Sequence, residues 1–536
     1  MADFTPTPSQ KLAVETRGGT VLVSAGAGSG KTSVLTRRLM SRILDPDDPR
    51  DVDSFLVITF TKAAAAELKS RILDALGEAL AAQPDNRRLR RQSALCRQAQ
   101  IGTIHAFCQN ILRENSHALG IAPDFRVADD ERARAMKSAV LDRVMDQRYE
   151  QLERYPGFAY LADTVGSGRD DGRLTALVLS LHDKMQCHAR PERWAQAQLD
   201  ALALQGVTDA GTTPWGRELM DGAAASAEYW AGEMERLGQL MARGPAEILA
   251  AYGDSVSETA MALRDFVRAL SGSWDGARAR AEIPFPRLGG LRDSPDAALS
   301  ELVKTRRDAC KKAAAGFAER FAEPSAALLE ELSRTRPAME ALLALTMDFD
   351  RAYAAEKRRR GLVDFADLEH LAARLLTEED GAPTPLAAEL SRRYTEIMVD
   401  EYQDVSEVQD LLFRAVSREG KNLFLVGDVK QAIYRFRLAD PGIFLDKYNA
   451  FADADKAGEG EPRRVFLREN FRSRREIIDG ANRVFAACMS EKLGETRYDE
   501  NAALICGADY PGSAPAPELL LLDTRGDGEE IGRAHV

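Results

Sequence analysis

Residues 21–35, VLVSAGAGSGKTSVL, leave a chain few ways to fold locally. The run Val21, Leu22, Val23 suits a strand covered on both faces of a sheet. From Ser33 to Leu44, the apolar residues Val34, Leu35, Leu39, Ile43 and Leu44 recur at helical spacing. Between strand and helix, Gly28 and Gly30 let the backbone turn its N–H groups towards one point. The start of the helix adds its positive dipole end there. Such a strand–loop–helix unit is a seat for a polyphosphate, with Lys31 reaching the terminal phosphates and the Thr32 hydroxyl placed for Mg²⁺. The competing reading is a glycine-rich turn that binds nothing, and the correctly placed strand and helix argue against it.

A chain of 536 residues has room for roughly two to four domains with substantial cores. Its net charge of −12 disfavours indiscriminate nucleic-acid binding, so any such contact must come from a local groove. Six scattered cysteines without a CxxC pair point to a reduced, cytosolic setting rather than a disulfide framework. Cys187 and His188, with His182 nearby, have the spacing of no common metal site and are expected on a solvent-facing helix. The opening MADFTPTPSQ has neither a basic patch nor an apolar core, and no apolar run is long enough to span a bilayer. A cytoplasmic protein is expected.

Four further segments read as strands: FLVITFT (55–61), IGTI (101–104), EIMVDE (396–401) and NLFLVGD (422–428). Most precede helical pattern, which predicts an α/β fold with a parallel sheet and crossover helices. Between the two strand sets, residues 120–355 read as helices, forming a domain inserted between two parts (1–119 and 356–456) of the α/β domain. This insertion holds Trp194, Trp215, Trp230 and Trp274. Stacking on bases is one use for them, and core packing is the stronger expectation. AGEGEP (457–462) reads as a linker. The strand, polar turn and helix in RRVFLRENFRSRREIIDGANRVF (463–485) then predict that a second α/β domain opens over 463–536. That domain is expected to be unfinished at 536. The final EIGRAHV is encodable by a run resembling a common sequencing adapter, so the reading frame is expected to run off a read end.

IMVDEYQD (397–404) supplies the acidic strand end that a phosphate loop requires. Asp400 is expected to hold Mg²⁺ through water, and Glu401 to orient and deprotonate the attacking water. Alone, two adjacent acids also suit a plain surface turn. In LVGDVKQAIYRFR (425–437), Gln431 is a candidate γ-phosphate sensor. Tyr434, Phe436 and Arg437 offer aromatic faces and a cation that hold bases without reading sequence. Read in isolation, the aromatics equally suit a core and Gln431 a surface amide.

In order and wording, these motifs resemble superfamily 1 DNA helicases of the UvrD/RecB type. The resemblance implies a RecA-like P-loop motor domain carrying a large helical insertion, followed by the start of a second RecA-like domain. It implies ATP and Mg²⁺ as ligands and single-stranded or duplex DNA as substrate. Gln10 matches the glutamine that reads adenine. Ala25, Gly26, Ala27, Gly28, Ser29, Gly30, Lys31 and Thr32 match the nucleotide loop, with Ala25 where glycine is usual. TFTKAAAAELKSRI (59–72) and GTIHAFCQNILR (102–113) resemble the segments gripping single-stranded DNA, through Thr59, Phe60, Thr61, Thr103, His105 and Phe107. For His105, a buried hydrogen-bonded histidine is the alternative. DEYQD (400–404) has Tyr402 where phenylalanine is usual, and LVDFADLEHLAARLL (362–376) adds the DFxDL pattern. In ENFRS (469–473), Phe471 is implied to stack on adenine and Arg472 to reach the γ-phosphate from the second domain.

Within the superfamily, 21–49, 63–72 and SGRDDGRL (167–174) resemble the AddA helicase–nucleases of bacterial double-strand-break repair. That likeness implies 3′→5′ movement, an AddB-like partner and a nuclease domain absent from these residues. A stand-alone UvrD/Rep-type helicase and a DNA-binding module whose ATP site is a switch or inert are the competing readings. As it stands, the 536-residue chain is expected to bind nucleotide without unwinding duplex.

Overall fold

The computed structural model describes residues 6–165, 171–291, 293–435, 439–510, 512, 517–518 and 520. The first strands are β1 (Val21–Ala25), β2 (Phe55–Thr59) and β3 (Gln100–Thr103). A small parallel pair joins β4 (Arg126–Val127) to β5 (Leu362–Val363). The chain then adds β6 (Glu396–Val399), β7 (Leu423–Gly427), β8 (Ala452–Asp453) and β9 (Arg463–Leu467). β10 (Glu469–Asn470) and β11 (Ile505–Cys506) form a second parallel pair.

Seven of these make one all-parallel sheet in the order β3-β2-β6-β7-β1-β9-β8. Side-chain alternation along the strands builds a core on each face. Leu22, Leu56, Ile58, Ile397 and Leu425 enter one core, while Val21, Val23, Val57, Met398 and Val426 enter the other. Each fully buried side chain of this kind contributes about 1.5–3 kcal/mol, which explains why the strands read as unbroken apolar runs.

One expectation is corrected by the pairing. The sequence predicts that β9 opens a second domain, but Val21–Ala25 pair with Arg463–Leu467, so this strand belongs to the first sheet. Beyond β9, the pair β10 and β11 lies outside that sheet.

The chain divides into two compact units: residues 1–143, 179–191 and 349–536, and residues 144–178 and 192–348. The second unit is helical, with its core along Pro214–Arg243 and Ala246–Leu270. There Trp274 is 1 % exposed and donates from Nε1 to Glu323 O at 3.0 Å, while Trp215 and Trp230 pack against the same core. These three tryptophans serve packing. Among the described residues, no helix is long and apolar enough to cross a membrane.

His182 also departs from expectation. It is 3 % exposed rather than solvent-facing, with Nε2 3.0 Å from Asp350 Oδ1. Its burial is offset by that carboxylate and by Asp183, 3.5 Å from Nδ1.

Candidate nucleotide site and nucleic-acid face

Every strand bearing an expected site residue ends on the same edge of the sheet, because all are parallel. Carboxyl ends of such strands are where α/β folds bind ligands. β1 runs into the loop 26–30, and a helix (α1, Pro8–Glu15) and the one following the loop (α2, Lys31–Ile43) flank it. Gly28 and Gly30 take φ of 68° and 83°, the left-handed region that favours glycine. Gly28 also lacks room: a Cβ there would lie 2.9 Å from Arg472 Cβ and from the Asn470 amide. Gln10 is buried and donates from Nε2 to Ser29 O at 2.9 Å, holding the loop from the α1 side.

The loop fits a nucleoside triphosphate on its own geometry. Ser29 Oγ is buried without a hydrogen-bond partner, and the first turn of α2 has N–H groups that no intrahelical carbonyl can accept. Lys31 Nζ lies 2.9 Å from Glu401 Oε2, a carboxylate where a phosphate oxygen would compete.

The acids stand just past β6. Asp400 N–H still donates to Ile58 O at 2.9 Å, and Glu401 then turns left-handed (φ 51°, ψ 44°), a conformation costing an L-residue about 1–2 kcal/mol. Strain of this kind clusters at functional sites. Burial pushes the Asp400 carboxyl up to about 6, the neighbouring Glu401 adds to the rise, and Lys31 opposes it. Asp404 is likewise pushed up to about 6, by burial and then by Glu401. Such crowding of negative charge suits a divalent cation, and Mg²⁺ ordinarily takes one or two carboxylates plus substrate phosphates.

Sequence reasoning passes over Gln403, Asp404, Asp428 and Asn470. Gln403 donates from Nε2 to Glu401 Oε2 (2.9 Å) and Asp404 Oδ2 (3.1 Å), and its Oε1 accepts from Asp428 N–H (3.0 Å). Asp428 in turn accepts from Gln431 Nε2 and pairs with Lys430 Nζ, each at 2.8 Å. The signal for Gln403, Asp404 and Asp428 lies within the DEYQD and GDVKQ motifs, and that for Asn470 within ENFRS, beside the letters that carry the expected roles. Asn470 closes the loop from the other side, donating from Nδ2 to Ala27 O at 2.7 Å, while Phe471 N–H donates to Gly28 O at 2.9 Å. Phe471 is half-buried and Arg472 exposed, their carbonyls accepting from Tyr510 Oη.

Along the same edge, Phe60 stacks on Tyr434 with ring centroids 5.0 Å apart and planes 23° from parallel. Phe60 is 38 % exposed, and Thr61 is exposed as the N-cap of α3 (Lys62–Ala82). His105 Nε2 sits 3.1 Å from Glu369 Oε1, and its ring tilts on Phe365. Phe60, Tyr434, His105, Phe365 and Glu369 border a cavity of about 400 Å³ that reaches Asp400 and Glu401. Three assignments change. Phe107 is 2 % exposed in the core against Tyr394, so it presents no face to a base. The side chains of Thr59 and Thr103 are buried, one donating to Thr61 O and the other capping the helix Ile104–Glu114. Phe436 and Arg437 lie outside the described residues.

A phosphate loop, a lysine–glutamate pair and an aromatic stack on one parallel-sheet edge define the P-loop nucleotide motors as the class. Residues 6–452 match the model of the UvrD/REP helicase N-terminal domain, and the chain belongs to that family. It is 39 % identical to an ATP-dependent helicase/nuclease subunit of Desulforudis audaxviator, over 98 % of this chain and 43 % of that protein. The protein of the same name from Geobacillus thermodenitrificans is 37 % identical over 99 % of this chain and 44 % of its own length. With that of Moorella thermoacetica the identity is 38 %, over 96 % and 37 %. The chain thus spans less than half the length of these relatives.

Proposed function

We propose that this chain is the ATP-driven motor of a 3′→5′ DNA helicase within a helicase–nuclease of double-strand-break repair, working with an AddB-like partner. The observation carrying the motor reading is the Lys31–Glu401 contact of 2.9 Å on the sheet edge that also bears the Phe60–Tyr434 stack. The names of the relatives support the helicase–nuclease part.

Lys31 exchanges Glu401 for the terminal phosphates of ATP, which frees the carboxylate to accept a proton from the attacking water. Mg²⁺ held by Thr32 and Asp400 would neutralise charge on the phosphate oxygens. Phe471 stacks on adenine beside Gln10, and Arg472 stabilises charge on the transferring phosphoryl group. Gln431, braced by Asp428, registers loss of the γ-phosphate. Tyr434, three residues on, then alters its stack with Phe60 and so the hold on a base, with Thr61 and His105 as neighbouring contacts.

The test is strand separation by the protein expressed from its complete reading frame. A duplex with a 3′ single-stranded tail should be unwound with ATP and Mg²⁺, and Lys31→Ala should abolish this. Unwinding of only 5′-tailed duplex would refute the polarity, and unwinding unaffected by Lys31→Ala would refute the motor assignment.

A further inference from the structure

Gln403 is 1 % exposed, and its amide is used at both ends. The nitrogen donates to Glu401 at 2.9 Å and to Asp404 at 3.1 Å, while the oxygen accepts the backbone N–H of Asp428 at 3.0 Å. A primary amide can donate to a carboxylate and accept from an N–H at once, at any protonation state of its neighbours. Asp428 passes the connection on to Gln431, 2.8 Å away. The path Glu401–Gln403–Asp428–Gln431 therefore joins the ends of two neighbouring strands, β6 and β7, through side-chain hydrogen bonds. Space around it is equally specified. A Cβ added to Gly427 would lie 2.6 Å from Gln403 Oε1 and 3.1 Å from Gln403 N.

We propose that Gln403 is a positioning residue: it aims the Glu401 carboxylate at the attacking water and ties that aim to the Asp428–Gln431 segment. When Lys31 turns to phosphate, Glu401 loses one of its two partners, and the Gln403 amide is what keeps the strained residue in register. Movement of the segment at the end of β7 is felt by Glu401 through a side chain bonded to the ends of both strands. A rotation of Gln403 changes the direction of the base without touching nucleotide.

This rests on Glu401 being the base, so Glu401→Gln accompanies the test. In the protein from its complete reading frame, Gln403→Ala, Gln403→Met and Gly427→Ala are compared for DNA-stimulated kcat, KM for ATP, affinity for a non-hydrolysable fluorescent ATP analogue, and melting temperature. Gln403→Met keeps the length and bulk but can neither donate to Glu401 nor accept from Asp428. The expected result is a kcat lowered roughly 10²-fold in Gln403→Ala and Gln403→Met, at the lower end of what a positioned base contributes. Gly427→Ala should fall in the same direction; analogue affinity should stay at the wild-type value, while melting falls by the few degrees that a crowded strand or an unsatisfied buried group entails. Full kcat in Gln403→Met overturns the proposal, as does a loss of analogue affinity in step with kcat, which marks a purely structural role. Full turnover in Glu401→Gln would instead overturn the assignment of the base itself.

Discussion

Replacing Arg38 by methionine tests the packing beneath the nucleotide site. Arg38 lies on α2 and is 1 % exposed. Its Nε and Nη2 donate to the two oxygens of Glu396 at 2.9 and 2.6 Å, its Nη1 donates to Ala13 O at 2.7 Å, and its guanidinium lies 4.2 Å from the Phe424 ring centroid. One side chain thus fastens α1, α2, β6 and β7. Arg38→Met leaves the Glu396 carboxylate buried without its counter-charge, a change costing about 3–5 kcal/mol. With about 2.1 cal/mol/K of unfolding entropy per residue and some 340 residues in this unit, the transition should fall by roughly 4–7 °C. Arg38→Met with Glu396→Leu removes the stranded charge and should recover most of that loss. Recovery stays incomplete because Ala13 O, at the end of α1, loses its donor at a cost of about 1–3 kcal/mol. Because the chain has two compact units, the transition to follow is the one that abolishes binding of a fluorescent ATP analogue. A single variant within about 1 °C of wild type, or a double variant no more stable than the single, would refute the reasoning.

Phe60→Ala removes the partner of Tyr434 and should weaken single-stranded DNA binding by roughly 5- to 150-fold, equivalent to about 1–3 kcal/mol of stacking, in a fluorescence-anisotropy titration. Nucleotide affinity should be unchanged. For His182, burial alone would lower the pKa, but the carboxylates of Asp183 and Asp350 beside the ring outweigh it and raise the value above 6.5, against Lys137. Its folded-state proton is therefore the tighter one, so its contribution to stability is complete below 6.5 and is lost as pH rises through the raised folded value. Chemical denaturation across that range should show the decline, and His182→Gln should flatten it. An unaltered profile would remove His182 from the account.

What can be read from sequence is what is local. β1, β2, β6 and β7 are buried on both faces, so each announces itself as an apolar run, and the glycines, lysine and threonine after β1 have spacing that geometry demands. Partners far along the chain are not legible. Arg38 on α2 looks like any exposed cation until Glu396, 358 residues away, is brought to it. His182 gives no sign of burial because its carboxylate partner lies 168 residues on. The alternation in β9 declares a strand but not its neighbour, and the neighbour is β1. Phe107 shares the apolar face of its helix with Ile111, and that periodicity, rather than the motif, decides its place.

The most direct measurement is phosphate release from ATP, with and without single-stranded DNA, by wild type and Glu401→Gln expressed in the complete reading frame. The account predicts strong stimulation by DNA in wild type. It predicts loss of turnover in Glu401→Gln, with affinity for the ATP analogue retained. Turnover in Glu401→Gln equal to wild type, or hydrolysis indifferent to DNA, would contradict it.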